Sequence, residues 1–368
     1  MADQQKETPF LLEAMEAYLT ELYEAPVTIK KVTTLGEVDE ADLKGFGYGH
    51  PLLLRIAYAG QIDRLVFHTM AGDAFGHERP SDRARNILLD YANFNKLPHH
   101  VPAVDVGTVN EDGRLTTLRH FHEFFLLTRF VPGRLYAKDL QRLAQTNERQ
   151  PCDETRVNTL VNYLVKIHGK KNPDATGYRR CIRDLLGLGE GIMGITDSYK
   201  ADDELAPPAR LQAIEEKCIA WRWRLKEKSE RLSQIHGDFH PWNVLFQSDD
   251  QIALLDRSRG EWGEPADDLS AMTINYILFA LQQDGRFAGH FQQLFAQFWQ
   301  AYVQQSGDEG ITAVVPPFFT WRALVLANPI WYPDLDPAVR AALLNFAENV
   351  LAVDHFEPTE VNAYLESS

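Results

Sequence analysis

The sequence predicts an α+β fold with a small, mostly β N-terminal lobe and a larger helical C-terminal lobe. In the first third of the chain, short β-branched and apolar runs alternate with turn residues, which is typical of an antiparallel sheet. After residue 133 the apolar residues recur at helical spacing instead. We therefore assign residues 1–127 to the N-terminal lobe, 128–133 to a hinge and 134–368 to the C-terminal lobe.

The N-terminal lobe is predicted to contain a leading helix, an antiparallel sheet and one further helix. Amphipathic spacing predicts the leading helix at residues 9–24. The strand patterns fall at 27–34, 52–58, 64–69, 101–106 and 123–131. The second helix should run from Ser81 to Phe94, with Ser81 as its N-cap.

The C-terminal lobe is predicted to be helical around one small β insert. Helical periodicity covers 157–168 and 209–233 and returns from Asp268 to the end of the chain. A short strand pair is expected around 236–257, with its turn at Ser248-Asp249-Asp250.

The bulk composition limits the kinds of partner. The chain has 37 basic and 52 acidic side chains, a net charge of −15, whereas a nucleic-acid binder usually shows a basic stripe. The polar N-terminus and the lack of an apolar run of about 20 residues predict neither a signal peptide nor a membrane span. Three scattered cysteines suit a reducing compartment. We expect a cytoplasmic protein with no nucleic-acid and no membrane partner.

The residues with the clearest chemistry lie in Ile235-His-Gly-Asp-Phe-His-Pro-Trp-Asn-Val-Leu-Phe and the following Ile252-Ala-Leu-Leu-Asp-Arg-Ser. Phosphoryl transfer needs a carboxylate to orient the attacking hydroxyl and oxygen ligands to hold Mg²⁺. Asp238 and Asn243 lie on a turn-rich loop that leads into a strand, and Asp256 ends the partner strand. Because a hairpin returns its far end to its start, Asn243 and Asp256 should be neighbours.

A purely structural interpretation of these residues is also open. His236, Asp238 and His240 could form a hydrogen-bonded turn, and Asp256 could cap a strand. Each residue taken alone is more often structural. The combination of His-Gly-Asp, Asn and the later Asp should occur by chance in roughly one chain in a thousand or fewer, which favours a functional site.

These motifs resemble those of the aminoglycoside phosphotransferase and choline kinase family, which is related to the protein kinases. The resemblance covers about residues 28–290 and is clearest in His236–Phe246, Leu255-Asp256 and Gly263-Glu-Pro-Ala-Asp-Asp-Leu-Ser, with Ile167-His168 similar to the family's Leu-His pair. It implies a two-lobed protein-kinase-like fold. It also implies that ATP or GTP binds with Mg²⁺ between the lobes and that the acceptor is a small hydroxylated molecule.

The same resemblance implies roles for four residues of the C-terminal lobe. Asp238 would be the catalytic base, which positions the acceptor hydroxyl. Asn243 and Asp256 would be the Mg²⁺ ligands. Asp268 would be a structural carboxylate that supports the catalytic loop.

In the N-terminal lobe and the hinge the resemblance implies contacts with the nucleotide. The hinge would bind the purine through its backbone, which makes Thr128 and Phe130 cofactor-binding residues. The segment Gly45-Phe-Gly-Tyr-Gly lies where a phosphate-covering loop is expected, with Gly47 at its centre. Glycine lets backbone amides approach phosphate closely, although glycine turns between strands are common.

The N-terminal lobe departs from the family pattern at the cation that grips the phosphates. The family places a lysine, or sometimes an arginine, on its third strand, whereas here that strand places His68 at this point. Nearby negative charge favours the protonated form of histidine, so His68 could still bind a triphosphate. An alternative register puts Arg55 in this role.

The sequence leaves open whether the acceptor is cationic. Acidic and aromatic residues that would suit a cation are Glu261, Glu264, Asp267, Asp334, Asp336, Trp262, Trp321, Trp331 and Tyr332. For any one of them, a solvated or core position is also open.

Two other functions are consistent with the fold. A regulatory protein that binds nucleotide with weak or no catalysis would explain the missing lysine, although Asp238, Asn243 and Asp256 are all present. A protein-serine/threonine kinase is disfavoured, because the interval from Asp256 to Asp268 is too short for a peptide-docking loop.

Overall fold

The computed structural model describes residues 9–35, 51–257 and 259–367. The chain divides into two compact units, Met1–Thr128 and Arg129–Ser368. The described part of the first unit combines β-strands with helices, and that of the second is mostly helical.

The elements of the first unit follow the predicted order over most of its length. They are α1 (Leu12–Tyr23), β1 (Val27–Thr34), β2 (Leu52–Tyr58), β3 (Gln61–Phe67), α2 (Pro80–Phe94), β4 (Gly107–Val109) and β5 (Leu115–Thr117). β1 pairs antiparallel with β2, and β2 pairs antiparallel with β3. β4 and β5 form a separate antiparallel pair.

The core of the first unit lies between α1 and one face of the sheet. Met15 and Leu19 are four residues apart, so they share a face of α1, and both are buried against Leu54 and Ile56 of β2. Side chains alternate along a strand, so Arg55 lies on the opposite face, where it is exposed. One face of the sheet is therefore apolar and covered, and the other carries charge.

Two of the predicted strands are wrong. Residues 101–106 and 123–131 have no regular secondary structure, and β4 begins only at Gly107. Among the residues that the structure describes, no backbone hydrogen bond joins 123–131 to a neighbouring strand. An apolar run forms a strand only where a neighbour pairs with its backbone, and the apolar pattern does not specify that neighbour.

Helix α2 begins one residue earlier than predicted, and Ser81 is not its N-cap. Pro80 occupies the first helical position and Arg79 is the N-cap. The side chain of Asp82 accepts a hydrogen bond from the backbone N–H of Arg79 at 2.8 Å. Because the fixed φ of proline suits the first turn, Pro80 starts the helix and Ser81 lies inside it.

The second unit is a helical assembly with short strands. Its elements are β6 (Arg134–Leu135), α3 (Tyr136–Thr146), α4 (Pro151–His168), α5 (Ala175–Gly187), α6 (Ile192–Asp197), α7 (Pro208–Leu225), β7 (Ser233–Gln234), β8 (Val244–Phe246), β9 (Ile252–Leu254), β10 (Trp262–Gly263), α8 (Pro265–Asp284), α9 (Gly289–Ser306), α10 (Pro316–Ala327), α11 (Pro337–Val350) and α12 (Val361–Leu365). The helix expected at 209–233 ends at Leu225 and is followed by a 3₁₀ turn at Ser229–Arg231. Within the described residues, no helix has both the length and the apolar character needed to cross a bilayer.

Helix α8 forms the centre of the second unit. Every residue from Pro265 to Leu281 is buried, as expected for a helix that is surrounded on all sides. Helices α9, α10 and α11 pack against it. The first turn of α8 therefore carries two carboxylates, Asp267 and Asp268, into the protein interior.

Strands β8 and β9 form the hairpin predicted around residues 236–257. Val244 pairs with Leu254 and Phe246 pairs with Ile252. β6 pairs with the other edge of β8, so β8 lies in the middle of this small sheet. All three residues of β8 are buried, which fixes the end of the loop that precedes it.

Leu164 provides a test of the packing in the second unit. It lies on α4, which packs against α9, and it is fully buried, so Leu164→Ala should lower the free energy of unfolding by about 2–5 kcal/mol. All seven tryptophans lie beyond residue 220, so tryptophan fluorescence in urea follows the second unit selectively.

The control for this substitution is Leu188→Ala. That side chain is 43% exposed, so its loss should change the free energy of unfolding by less than about 1 kcal/mol. Equal losses in the two variants would contradict the packing of α4.

Candidate active site

The candidate site is built on the loop from His236 to Asn243, between β7 and β8. Gly237 has a φ of 86°, in the left-handed region that favours glycine. A Cβ atom at this position would also lie 3.0 Å from the Cβ of Arg259. Any other residue at Gly237 would therefore strain the turn that precedes Asp238.

The buried carboxylate of Asp268 holds this loop by its backbone. Its Oδ2 accepts the N–H of His236 at 2.8 Å, and its Oδ1 accepts the N–H of Gly237 at 2.7 Å. His168, at the end of α4, places its Nε2 3.1 Å from Oδ2 and its Nδ1 2.9 Å from the hydroxyl of Tyr302. The structure thus confirms the supporting contacts expected of Asp268, which joins α4, α8 and the loop.

The surroundings of Asp268 keep it ionised. Burial acts to raise its pKa, but the hydrogen bond and charge of His168 and the N–H of His236 outweigh burial and lower the pKa. Three donors therefore compensate the negative charge of Asp268. Loss of any one of them would leave part of a buried charge without a partner and would destabilise the fold.

Aromatic residues anchor the same loop in the core. Phe239 is fully buried and stacks on Tyr163, with ring centroids 6.0 Å apart. Trp242 stacks on Phe279 at 6.3 Å. The aromatic residues of the motif thus hold the loop in place, so the polar residues of the loop are not needed to anchor it.

Asp238 is mostly buried, and each of its carboxylate oxygens has different partners. Oδ1 accepts a hydrogen bond from Nη1 of Arg322 at 2.7 Å. Oδ2 lies 3.3 Å from Nδ2 of Asn243 and 3.4 Å from Nε2 of His240. Burial acts to raise the pKa of Asp238, but the His240 hydrogen bond and the Arg322 charge hold it well below its usual range. Asp238 is therefore a carboxylate at neutral pH.

The β8–β9 hairpin brings Asn243 and Asp256 close together, as the sequence predicted. The N–H of Leu255 donates to the C=O of Asn243 at 2.9 Å, so Asp256 is one residue from the backbone partner of Asn243. Nδ2 of Asn243 donates to the backbone C=O and the carboxylate of Asp238, which leaves Oδ1 of Asn243 for a cation. An amide oxygen and a carboxylate are hard donors of the kind that Mg²⁺ takes from a protein.

The carboxylate of Asp256 is available to such a cation. It is exposed, and it forms no hydrogen bond or ion pair within the described part of the chain. Its φ of 49° is a left-handed conformation that costs a non-glycine residue about 1–3 kcal/mol and is enriched at functional sites. The described residues include no cluster of three or more His, Cys, Asp or Glu side chains that could hold a metal. A cation at Asn243 and Asp256 would therefore need oxygens from a ligand as well.

The residues predicted to contact the nucleotide lie elsewhere in the chain. His68 directly follows β3 and is exposed. Thr128 ends the first unit, and Phe130 lies near the start of the second, both exposed in the segment without regular structure. Gly47 lies outside the described residues. Their part in nucleotide binding stays a prediction.

Several acidic residues that would have suited a cationic acceptor have partners within the protein. Glu264 is fully buried and accepts hydrogen bonds from Arg231 at 2.7 Å and Tyr178 at 2.8 Å. Asp336 caps α11. Asp267 accepts a hydrogen bond from a guanidinium group at 2.7 Å. These contacts weaken the case for a positive charge on the acceptor.

Arg322 of α10 is a site residue that the sequence patterns did not reveal. It is 8% exposed, and its guanidinium donates to Asp238 and Asp267, both at 2.7 Å. Asp238 lies 84 residues away in the sequence. The only signal was a charged residue within the apolar run Phe318-Phe-Thr-Trp-Arg-Ala-Leu-Val-Leu.

A family model for the phosphotransferase enzyme family (APH) matches residues 77–304. The matched range includes the loop, the β8–β9 hairpin and α8, and it ends before α10, so Arg322 lies outside it. No curated protein matches the chain.

Several solved structures are similar to this chain at low identity. An amicoumacin kinase in complex with AMP-PNP and Ca²⁺ aligns at 13% identity over 90% of this chain and 92% of that chain, with a TM-score of 0.40. An ethanolamine kinase from Plasmodium vivax aligns at 12% identity over 89% and 82%, with a TM-score of 0.35. A glucosamine kinase in complex with glucosamine, ADP and inorganic phosphate aligns at 15% identity and a TM-score of 0.37, over 56% of this chain and 58% of that chain.

The contacts of Asp268 predict a large loss of stability when its charge is removed. In Asp268→Asn, an amide N–H₂ must face backbone donors and His168 loses its charged partner. The free energy of unfolding should fall by about 3–5 kcal/mol, measured in urea by tryptophan fluorescence.

Asp354→Asn is the matched control, because Asp354 pairs with Arg224 at 2.9 Å on the surface. Exposed pairs contribute about 1 kcal/mol or less, so this variant should unfold almost as the unmodified chain does. A comparable loss in both variants would show that Asp268 does not support the loop as described.

Proposed function

Because the chain belongs to the phosphotransferase enzyme family, we propose that it transfers the terminal phosphoryl group of ATP or GTP to a hydroxyl group of a small molecule. The observation that carries the proposal is the environment of Asp238. Its ionised carboxylate lies on a loop held by Asp268, beside Asn243 and close to Asp256 in the chain fold. These are the groups that in-line phosphoryl transfer requires from a protein.

In the proposed reaction Asp238 orients the acceptor hydroxyl. The carboxylate accepts a hydrogen bond from that hydroxyl and takes its proton as the new oxygen–phosphorus bond forms. The bond between the γ-phosphorus and the β–γ bridging oxygen breaks, and the nucleoside diphosphate leaves with the electron pair. Because the transition state of such transfers is loose, positioning the hydroxyl matters more than the strength of the base. A carboxylate with a lowered pKa is adequate for this task.

We propose that Asn243 and Asp256 hold Mg²⁺. When bound, the ion would compensate the negative charge of the phosphates. Asn243 has a second task, since its Nδ2 donates to both the backbone and the side chain of Asp238. Asn243 would therefore contact both the base, Asp238, and the cation.

The open face of the first unit's sheet supports Arg55 as the group that grips the phosphates. Lys31, Arg55 and Arg64 lie directly opposite one another on β1, β2 and β3, and all three are exposed. Like charges opposite one another destabilise a sheet, and within the described residues none of the three has an ion-pair partner. An anionic ligand would relieve that repulsion. His68, which the sequence pattern placed in this role first, is then the alternative, because it directly follows β3.

We propose that Thr128 and Phe130 contact the purine through their backbone. The backbone groups of these residues form no hydrogen bonds within the part of the chain that the structure describes, so they are available to a base.

The function is tested by transfer of a labelled γ-phosphoryl group. The purified chain is incubated with ATP or GTP, Mg²⁺ and a panel of aminoglycosides, choline, ethanolamine, sugars and amino alcohols, and the products are separated by size. We expect label on one class of small molecule and none on protein. Nucleotide binding without any turnover would instead indicate the regulatory protein of the same fold.

Asp238→Ala should abolish transfer while leaving the dissociation constant for nucleotide nearly unchanged, because Asp238 acts on the acceptor. Asp256→Ala should weaken binding of nucleotide in the presence of Mg²⁺ but not in its absence. Both constants are measured by calorimetry, and Asp250→Ala on the β8–β9 turn is the control for loss of an exposed carboxylate. Full activity of Asp238→Ala would rule out Asp238 as the base.

Arg55→Ala should raise the dissociation constant for ATP with Mg²⁺ by about 10-fold or more, since it removes a charge-assisted bond to phosphate. His68→Ala should raise the constant less. Arg114→Ala, at an exposed arginine beside Asp112, controls for the loss of one positive charge. If His68→Ala has the larger effect, His68 is the group that binds the phosphates.

A further inference from the structure

The most unusual residue near Asp238 is Arg322, a buried arginine on a helix that carries no other charged residue. Its Nη1 donates to Oδ1 of Asp238 at 2.7 Å, and its Nη2 donates to Oδ1 of Asp267 at 2.7 Å and to the C=O of Gly237 at 3.2 Å. Arg322 therefore contacts both the side chain of Asp238 and the backbone beside it.

Because of the contact with Arg322, the two carboxylate oxygens of Asp238 have different environments. Oδ1 receives a short, charge-assisted bond from Arg322. Oδ2 has only the longer contacts with Asn243 at 3.3 Å and with His240 at 3.4 Å. Oδ2 is thus the oxygen that an incoming hydroxyl can engage without displacing a strong bond.

Asp267 fixes the other end of the guanidinium. It lies in the first turn of α8 and is buried, so its charge and that of Arg322 compensate each other in the interior. A planar guanidinium bridges two carboxylates with donors in a fixed arrangement, whereas the donors of a lysine ammonium rotate freely. Asp267 therefore holds Arg322 in place against Asp238.

The neighbouring aromatic ring restricts Arg322 further. The guanidinium carbon of Arg322 lies 4.1 Å from the centre of the Trp321 ring, and that of Arg259 lies 4.3 Å from it. The ring is itself fixed, because Nε1 of Trp321 donates to the C=O of Glu190 at 2.8 Å. Arg322 is held by stacking as well as by hydrogen bonds, which leaves it little freedom to move.

We propose that Arg322 is a positioning residue of the transfer reaction, which holds Oδ1 of Asp238 so that Oδ2 faces the acceptor hydroxyl. This inference rests on the proposed function of Asp238. A role limited to folding would not require a bond to the reactive carboxylate, because Asp268 already holds the loop by its backbone. The matched family range ends before Arg322, so the family match itself does not assign this role.

The test separates positioning from folding through steady-state kinetics. The reaction is phosphoryl transfer to the best acceptor of the panel or, if none is found, release of inorganic phosphate from ATP with water as the acceptor. Arg322→Ala should lower kcat by about 10- to 100-fold, because a small displacement of a positioning group has effects of this size, and should leave the KM for ATP within about threefold.

Chemical rescue and a conservative variant add readouts that a structural role would not move. Guanidinium ion at millimolar concentration should restore part of kcat in Arg322→Ala but not in Asp238→Ala. Arg322→Lys keeps the charge and serves if Arg322→Ala does not fold, and its kcat should stay well below that of the unmodified chain. Asp267→Asn should also lower kcat, and combining it with Arg322→Ala should add little, because Asp267 acts through Arg322.

Arg340→Ala is the matched control, since Arg340 is a partly buried arginine that pairs with Asp203 at 2.6 Å and has no contact with the loop within the described residues. It should lower the melting temperature but leave kcat unchanged. If Asp238→Ala is inactive but Arg322→Ala keeps full kcat, the inference about Arg322 fails and the proposed function stands. If the unmodified chain shows no turnover, or Asp238→Ala keeps full activity, the proposed function fails and the inference fails with it.

Discussion

The buried carboxylate of Asp268 is the contact on which the site depends. An ionised carboxylate is tolerated inside a protein only where donors compensate its charge. Asp268 meets this requirement with the backbone N–H groups of His236 and Gly237 and with the imidazole of His168. Because these partners belong to the loop and to α4, satisfying one charge fixes the loop relative to two helices. The place of Asp238, one residue further on, follows from this.

Two adjacent carboxylates in one helical turn support the loop in different ways. Residues that follow one another in a helix face different directions, so Asp267 and Asp268 meet different partners. Asp268 binds the backbone of the loop, and Asp267 binds Arg322, which binds the side chain of Asp238. Burial raises the pKa of Asp267 to about 6 although the nearby arginines oppose this, whereas the donors around Asp268 lower its pKa. The first turn of α8 therefore fixes both the position of the loop and the orientation of the Asp238 carboxylate.

The predicted fold class is confirmed, and so is the family that the motifs resemble. The chain is an α+β protein of the phosphotransferase enzyme family. Its first unit contains the three paired strands expected from its β-branched runs, and its second unit is mostly helical. The strands expected at 101–106 and 123–131 are absent from the structure, although both segments are apolar. Strand formation depends on a pairing partner, and that partner is not encoded in the segment itself. Ser81 failed as a cap for a more local reason, because Pro80 already starts the helix.

Short-range spacing was enough to identify Asp238, Asn243 and Asp256 as one cluster, because a loop and a two-stranded hairpin bring together residues that are close in sequence. The same spacing could not reveal Arg322, which reaches Asp238 across 84 residues. Nor could it show that Glu264 is neutralised by Arg231 inside the protein. These contacts form where helices that are distant in the sequence pack together. A buried charge is tolerated there only if it is paired, and which charges meet depends on how the whole core packs.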